Sequence, residues 1–129
     1  KIIFYSFAAL FILTPLLWSP LNFELFEFNK MILVYCLTII ITGSWLLKII
    51  NRQSLILNRT PLDIPLLLFL AANILSTIFS IDHHTSIWGY YSRSNGGLLS
   101  LISYLLLYFA FVSNITKDQI PKILKVEIV

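Results

Sequence analysis

Four long apolar segments take up most of this chain, and nearly all of its charges lie between them. They run over about Ile2–Trp18, Met31–Ile50, Ile64–Ile81 and Leu98–Ile115. An α-helix rises ~1.5 Å per residue, so ~20 residues cross a ~30 Å hydrocarbon layer. Inside such a layer every backbone polar group needs a partner from the protein, and helices supply one segment by segment. The sequence therefore predicts an all-α, polytopic transmembrane helical bundle with four spans. It forms one multi-span domain over residues 1–129.

Composition agrees with that solvent. Hydrophobic residues make up 58% of the 129 and charged residues 12%, against about 25% charged in a soluble domain. A net charge of +3 without a Lys/Arg stripe excludes a nucleic-acid partner. Cys36, the single cysteine, has no internal disulfide partner and reads as a small apolar filler. The chain starts at Lys1 rather than Met and stops at Val129 in mid-pattern, so we expect a piece of a longer protein. The first segment is too long for a signal peptide and lacks a small-residue cleavage site.

Basic residues orient the spans, because cytoplasmic loops collect Lys and Arg. Lys1, Lys48, Arg52, Arg59, Lys117, Lys122 and Lys125 share one side of a four-span chain; only Lys30 and Arg93 fall on the other. Both ends are thus expected in the cytoplasm. The acidic, aromatic loop around Glu24 and the loop Asp82–Gly96 are expected outside. Trp18, Trp45, Trp88, Tyr90 and Tyr91 fall at predicted interfaces, where amphipathic rings settle.

Local signals punctuate the pattern. Thr60-Pro61-Leu62-Asp63 reads as a helix start, with Thr60 as cap and Asp63 complementing the positive helix end. Asn95-Gly96-Gly97 is a turn before the fourth span. Asp118 is placed to cap one more helix, with Pro121 in its first turn, and a fifth span is expected to start there. In the third span Ala72, Asn73, Ser76, Thr77 and Ser80 form a polar stripe. That stripe is either a helix-packing face or the lining of a polar cavity. Asn58-Arg59-Thr60 and Asn114-Ile115-Thr116 match the glycosylation sequon, but both fall on the expected cytoplasmic side.

The outside loop carries the chemistry. From Ser76 to Ser100 it holds Asp82, His83, His84, Trp88, Tyr90, Tyr91, Arg93 and three glycines. Arg93 is its one basic residue. Its guanidinium, among tyrosines and beside a glycine turn, either captures a phosphate with two prongs or snorkels among lipid headgroups. His83 and His84 are adjacent, so they diverge on a helix or strand. No cysteine and no carboxylate other than Asp82 joins them, and no metal site is expected. Either histidine could serve acid/base chemistry near neutral pH, though a solvated loop position accounts for both. Asp82 reads as a loop cap. No P-loop, dinucleotide glycine pattern, zinc spacing or nucleophile elbow is present.

In this loop the chain resembles the N-terminal region of the bacterial O-antigen ligase and O-antigen polymerase-like family. The resemblance rests on Phe23-Glu24-Leu25-Phe26-Glu27-Phe28-Asn29-Lys30, Thr60-Pro61-Leu62-Asp63, Leu75-Ser76-Thr77 and Ser80-Ile81-Asp82. It continues through the pattern Ser86, Gly89, Tyr90, Arg93 and Gly96, followed by Gly97-Leu98-Leu99. It covers essentially the whole chain.

The resemblance implies an inner-membrane glycosyltransferase of about ten or more helices. Such an enzyme transfers a glycan from an undecaprenyl-pyrophosphate carrier to an acceptor glycan or lipid, with no nucleotide sugar, cofactor or metal. It also implies a larger outer loop beyond Val129 with further essential Arg and His residues, so this stretch alone is not expected to be active. In that mechanism positive groups stabilise the leaving pyrophosphate while a base activates the acceptor hydroxyl. Arg93, with Tyr90 and Tyr91 beside it, is the substrate-binding candidate for the first role. His83 or His84 is the weaker, catalytic candidate for the second.

The alternative is a non-enzymatic membrane module, such as a transporter subunit or assembly factor. A transporter should carry ionisable groups near the bilayer midplane, and the span interiors hold no Asp, Glu or Arg.

Overall fold

The computed structural model describes residues 2–16, 26–52, 59–91 and 93–128. Expectations that fall on Lys1, Trp18, the loop residues around Glu24, Asn58 or Val129 lie outside the described residues. Those described form six helices and no strand. They are α1 (Ile2–Leu16), α2 (Phe26–Arg52), α3 (Asp63–Ile78), α4 (His83–Trp88), α5 (Leu98–Asn114) and α6 (Ile120–Ile128).

The apolar segments become helices of unequal length. Over Glu27–Asn51, α2 is long and apolar enough to cross a membrane. It starts five residues before the apolar run does. The apolar helices α1, α3 and α5 have 15, 16 and 17 residues, or roughly 22–26 Å of helix. Two features went unpredicted: the third segment stops being helical at Ile78, and the short helix α4 follows it.

The helices pack in the order α1, α2, α5, α3, with α4 against α3 and α5, and α6 against α1. Ile3 and Phe7 of α1, Ile41 and Trp45 of α2, and Ala110 of α5 form the buried core. Phe7 and Phe111 meet edge to face, 5.3 Å between ring centres. Along α2 the inward row is Met31, Val34, Thr38, Ile41 and Trp45, spaced three and four apart as one helix face requires. Its counterpart on α5 is made of small residues: Ser100, Ser103, Ala110 and Ser113 are all buried. Small side chains let two helix backbones approach closely.

That seam corrects two expectations. The small-residue face that packs belongs to α5, while no residue of α3 is buried. Ala72 and Ser76 are exposed. The Asn73 amide donates to the Phe69 carbonyl of its own helix at 2.8 Å, and the Thr77 hydroxyl donates to the Asn73 carbonyl at 2.8 Å. Trp45, placed at an interface by its sequence position, is a core residue with 8% exposure. Its position on the inward row of α2 outweighs its interfacial chemistry. Trp88, Tyr90 and Tyr91 are exposed, and so is Cys36.

Hydroxyls elsewhere repeat the pattern of Thr77. Thr38 donates to Val34, Thr42 to Thr38 and Ser103 to Leu99, each to a carbonyl four residues back. Polar side chains are thereby satisfied without a partner helix or water. Large apolar side chains cover the outer surface, among them Ile39, Ile50, Ile64, Leu68 and Ile78. Because α3 touches α5 but not α2, a groove of about 820 Å³ separates α2 from α3, with Trp45, Leu67, Leu106 and Phe109 as apolar lining and Arg59, Thr60 and Asp63 at its polar end.

Candidate functional site

The α3–α5 connection is built by hydrogen bonds and by two glycines. Asp82 caps α4: its carboxylate accepts from the backbone N–H groups of His84 at 3.1 Å and Thr85 at 3.2 Å, and from the Thr85 hydroxyl. Those donors hold the Asp82 carboxyl below the ordinary carboxylate range, the Thr85 hydroxyl most of all. The Ser86 hydroxyl donates to Ser80 Oγ at 2.6 Å, and Ser80 donates to the Asp82 carbonyl at 3.1 Å. The expectation of a loop cap at Asp82 thus acquires a definite helix to cap.

After α4 the chain folds back on itself. Gly89 ends the helix at φ +84°, and a Cβ there would lie 2.2 Å from the Asn95 carbonyl oxygen. A Cβ on Gly97 would lie 2.4 Å from the Gly89 nitrogen and 2.5 Å from the Ile87 carbonyl oxygen. Residues 87–89 and 95–97 therefore pass backbone to backbone, an approach open only to glycine. The segment between them closes on Tyr90, whose carbonyl accepts from Arg93 N at 3.0 Å and Ser94 N at 2.8 Å.

Helix α2 anchors this hairpin from below. The Tyr35 hydroxyl donates to the Ser94 carbonyl at 2.7 Å. Tyr104 of α5 reaches both Met31 Sδ and Asn95 Oδ1 at 3.3 Å. In the first turn of α2, Glu27 Oε2 lies 3.5 Å from Arg93 Nε.

Of the sequence candidates, Arg93, Tyr90 and Tyr91 share one exposed rim. The Arg93 side chain is 64% exposed, so its pairing with Glu27 is a solvent-screened contact through Nε. Both histidines are also exposed, in the first turn of α4. His83 Nε2 lies 3.2 Å from the Ile78 carbonyl, one of the last acceptors of α3. Among the described residues no hydrogen bond joins either imidazole to Arg93, Tyr90 or Tyr91. The site thus has an exposed rim with one guanidinium, and His84 is the histidine with no ring hydrogen bond among the described residues. No group of three or more His, Cys, Asp or Glu side chains among the described residues could hold a metal.

Glu27, Tyr35 and Tyr104 escaped the sequence reading. The signal for Glu27 was available: the charge pattern put it on the same side as Arg93, one of only two basic residues there. Nothing in the sequence marked the two tyrosines.

Opposite ends of the helices hold the other charges. Lys48 Nζ donates to Asn114 Oδ1 at 2.7 Å, tying the C-terminal end of α2 to that of α5. At the start of α3 the cap runs through Asp63, which accepts from the Thr60 N–H at 2.9 Å and from the Thr60 hydroxyl. The carboxylate reaching back does the work that sequence logic gave to Thr60. Thr60 Oγ1 also meets the Tyr108 hydroxyl at 2.8 Å, fastening α3 to α5. The helix expected after Asp118 forms as α6. The side-chain bond at its start is from the Thr116 N–H to Gln119 Oε1 at 3.2 Å.

No protein-family model, curated protein or solved structure matches this chain.

Proposed function

We propose that the chain is the N-terminal part of a bacterial inner-membrane glycosyltransferase of the O-antigen ligase/polymerase-like type. It would span the bilayer four times through α1, α2, α3 and α5, with α6 opening a fifth span. Two observations support the bilayer. Only 22% of the most apolar stretch of α2 is buried, whereas the core helix of a soluble protein would be mostly buried. In addition, the outward faces of α2 and α3 carry exposed bulky apolar side chains, among them Ile39, Leu47, Ile50, Ile64, Leu68 and Ile78, and contiguous exposed apolar surface marks a membrane or partner contact.

The single observation that carries the catalytic part is the Arg93 rim. Its guanidinium stands exposed beside Tyr90 and Tyr91 on a hairpin closed by Gly89 and Gly97. Its one ion pair among the described residues, with Glu27 at 3.5 Å, goes through Nε, so the two terminal nitrogens can grip a pyrophosphate bidentately. Charge that develops on the leaving pyrophosphate would be met by this cation. The glycan moves from an undecaprenyl-pyrophosphate carrier to an acceptor hydroxyl, and the base comes from residues outside this chain or from His84.

The test is glycan transfer by purified full-length protein at matched expression and fold. Lys keeps the charge but loses the planar fork. Arg93→Lys should therefore impair transfer and Arg93→Ala should impair it further. Transfer by Arg93→Ala at the unmutated rate would reduce Arg93 to an interfacial anchor. Sidedness is tested by single-cysteine labelling in a Cys36→Ser background, with Ser94 reachable from outside and Lys122 not.

A further inference from the structure

A second site lies where α1 begins, α2 and α5 end, and α6 starts. There a cavity of about 440 Å³ is bordered by Tyr5, Lys48, Asn114, Gln119 and Lys122, with Ile3, Phe4 and Ile115 as its apolar wall. Two lysines on different helices line one concavity, and among the described residues no carboxylate lines it. Lys48 is only half exposed, and its bonding partner is the neutral amide of Asn114. Among the described residues neither lysine has a carboxylate partner. Lys122 sits in the first turn of α6, and that turn has no acidic residue, so the positive end of the helix adds to its charge. The C-terminal dipoles of α2 and α5, about half a negative charge each, offset only part of the two ammonium charges. Such a concentration of positive charge at the mouth of an apolar wall is complementary to a phosphate that carries hydrocarbon.

We propose that this cavity binds the phosphodiester headgroup of an anionic phospholipid in the leaflet facing the basic loops, with an acyl chain along Phe4 and Ile115. Lys48 and Lys122 neutralise the phosphate, and Tyr5, Asn114 and Gln119 supply hydrogen bonds. The site rests on the bilayer part of the proposed function and is independent of the transfer reaction.

Native mass spectrometry of the full-length protein, titrated with phosphatidylglycerol or phosphatidylcholine, tests the site after flotation with phosphatidylcholine vesicles. The protein should float and should retain phosphatidylglycerol preferentially. Anionic-lipid attraction per basic residue corresponds to about five-fold in affinity. Lys48→Gln with Lys122→Gln should thus weaken binding about 25-fold, whereas Lys117→Gln with Lys125→Gln should change it less than about two-fold. Asn114→Asp keeps the size and the Lys48 contact, loses the amide's bond to the Ala110 carbonyl and hands Lys48 a counter-ion, and should weaken binding at least about five-fold. Lys48→Arg should bind as the unmutated protein does.

Equal losses in the two double variants, or undiminished binding by Asn114→Asp, would overturn the site. Glycerol 3-phosphate binding as tightly as the lipid would make it a soluble-phosphate site and overturn the lipid assignment. If the double variant fails to fold, Asn114→Asp and Lys48→Arg decide. A protein that does not float overturns the bilayer reading and this site together; one that floats without lipid preference overturns the site alone.

Discussion

The two ends of the bundle use their polar groups in opposite ways. At the hairpin end they are spent on one another: Asp82 on Thr85 and His84, Tyr35 on Ser94, and Glu27 on Arg93. At the Lys48 end positive charges gather beside a neutral amide, and among the described residues the side-chain bonds between elements there are Lys48 to Asn114 and Thr60 to Tyr108. The first arrangement fixes a shape, while the second leaves a field. A rigid rim suits recognition of a substrate whose reacting atoms must be placed. An uncompensated cavity suits a resident anion whose exact placement matters less.

The hairpin should be the brittle end. Gly89→Ala puts a Cβ against the Asn95 carbonyl at a positive φ, and Gly97→Ala puts one against Gly89 and Ile87. Each should cost on the order of 3 kcal/mol of local stability, read as faster amide exchange over residues 90–97. Gly96 also has a positive φ (+81°), but nothing lies within 4 Å of its added Cβ. Gly96→Ala should cost only about 1 kcal/mol. Equal effects at Gly89 and Gly96 would mean that backbone contact does not hold the hairpin shut.

Such contrasts show what was legible in the sequence. Helix positions followed from the apolar runs, because the apolar requirement acts along the whole segment and averages over single residues. The turn at Asn95-Gly96-Gly97 was readable from residue type. Gly89, by contrast, counted only as part of a motif, since its constraint comes from Asn95, six residues on. Packing order was hidden for a similar reason. The polar stripe of α3 looked like a seam, but Asn73 and Thr77 satisfy themselves on their own helix. The seam formed on α5, which neighbours α1, α2, α3 and α4. Periodicity reports which residues share a face and is silent on which neighbour that face meets.

Deleting the Tyr35 hydroxyl sharpens the contrast with less violence. Tyr35→Phe removes the bond from α2 to the Ser94 carbonyl and should cost about 1 kcal/mol, with faster exchange confined to the hairpin. At the other end Ser113→Ala should go the opposite way. Ser113 Oγ is buried without a partner, and removing an unsatisfied buried hydroxyl should be neutral or stabilise by up to about 1 kcal/mol. Thermal unfolding in detergent reads both signs; a destabilised Ser113→Ala would show that the hydroxyl has a partner.

The Asp82 cap gives the hairpin end a pH dependence. Its carboxyl is lowered in the folded state by the Thr85 hydroxyl and the Thr85 N–H, then by His84. A depressed folded value means that the stabilisation is complete above the unfolded value of about 3.9. It is lost as pH falls through the lower folded value. Between pH 5 and 2.5 the Cα chemical shifts of His84 and Thr85 should move toward coil values, and in Asp82→Ala they should already be displaced at pH 5 and respond little. An equal pH response in both proteins would remove Asp82 from the cap.

The smallest stability effect belongs to Glu27, and it is the most telling about function. Its pair with Arg93 is 3.5 Å long, and the side chains are 52% and 64% exposed. Screened pairs of this kind contribute ~0.2–1 kcal/mol. Glu27→Gln should therefore shift unfolding by less than about 0.5 kcal/mol, part of that from the lost charge in the first turn of α2. Anion capture should move the other way. Glu27 competes with any phosphate for the Arg93 guanidinium, so Glu27→Gln should tighten binding of a lipid-linked pyrophosphate by about two- to five-fold. The gain should shrink as salt rises and should vanish in an Arg93→Ala background. If Glu27→Gln weakened pyrophosphate binding instead, the carboxylate would be holding the guanidinium in its productive pose. The rim would then be a preorganised fork rather than a free cation.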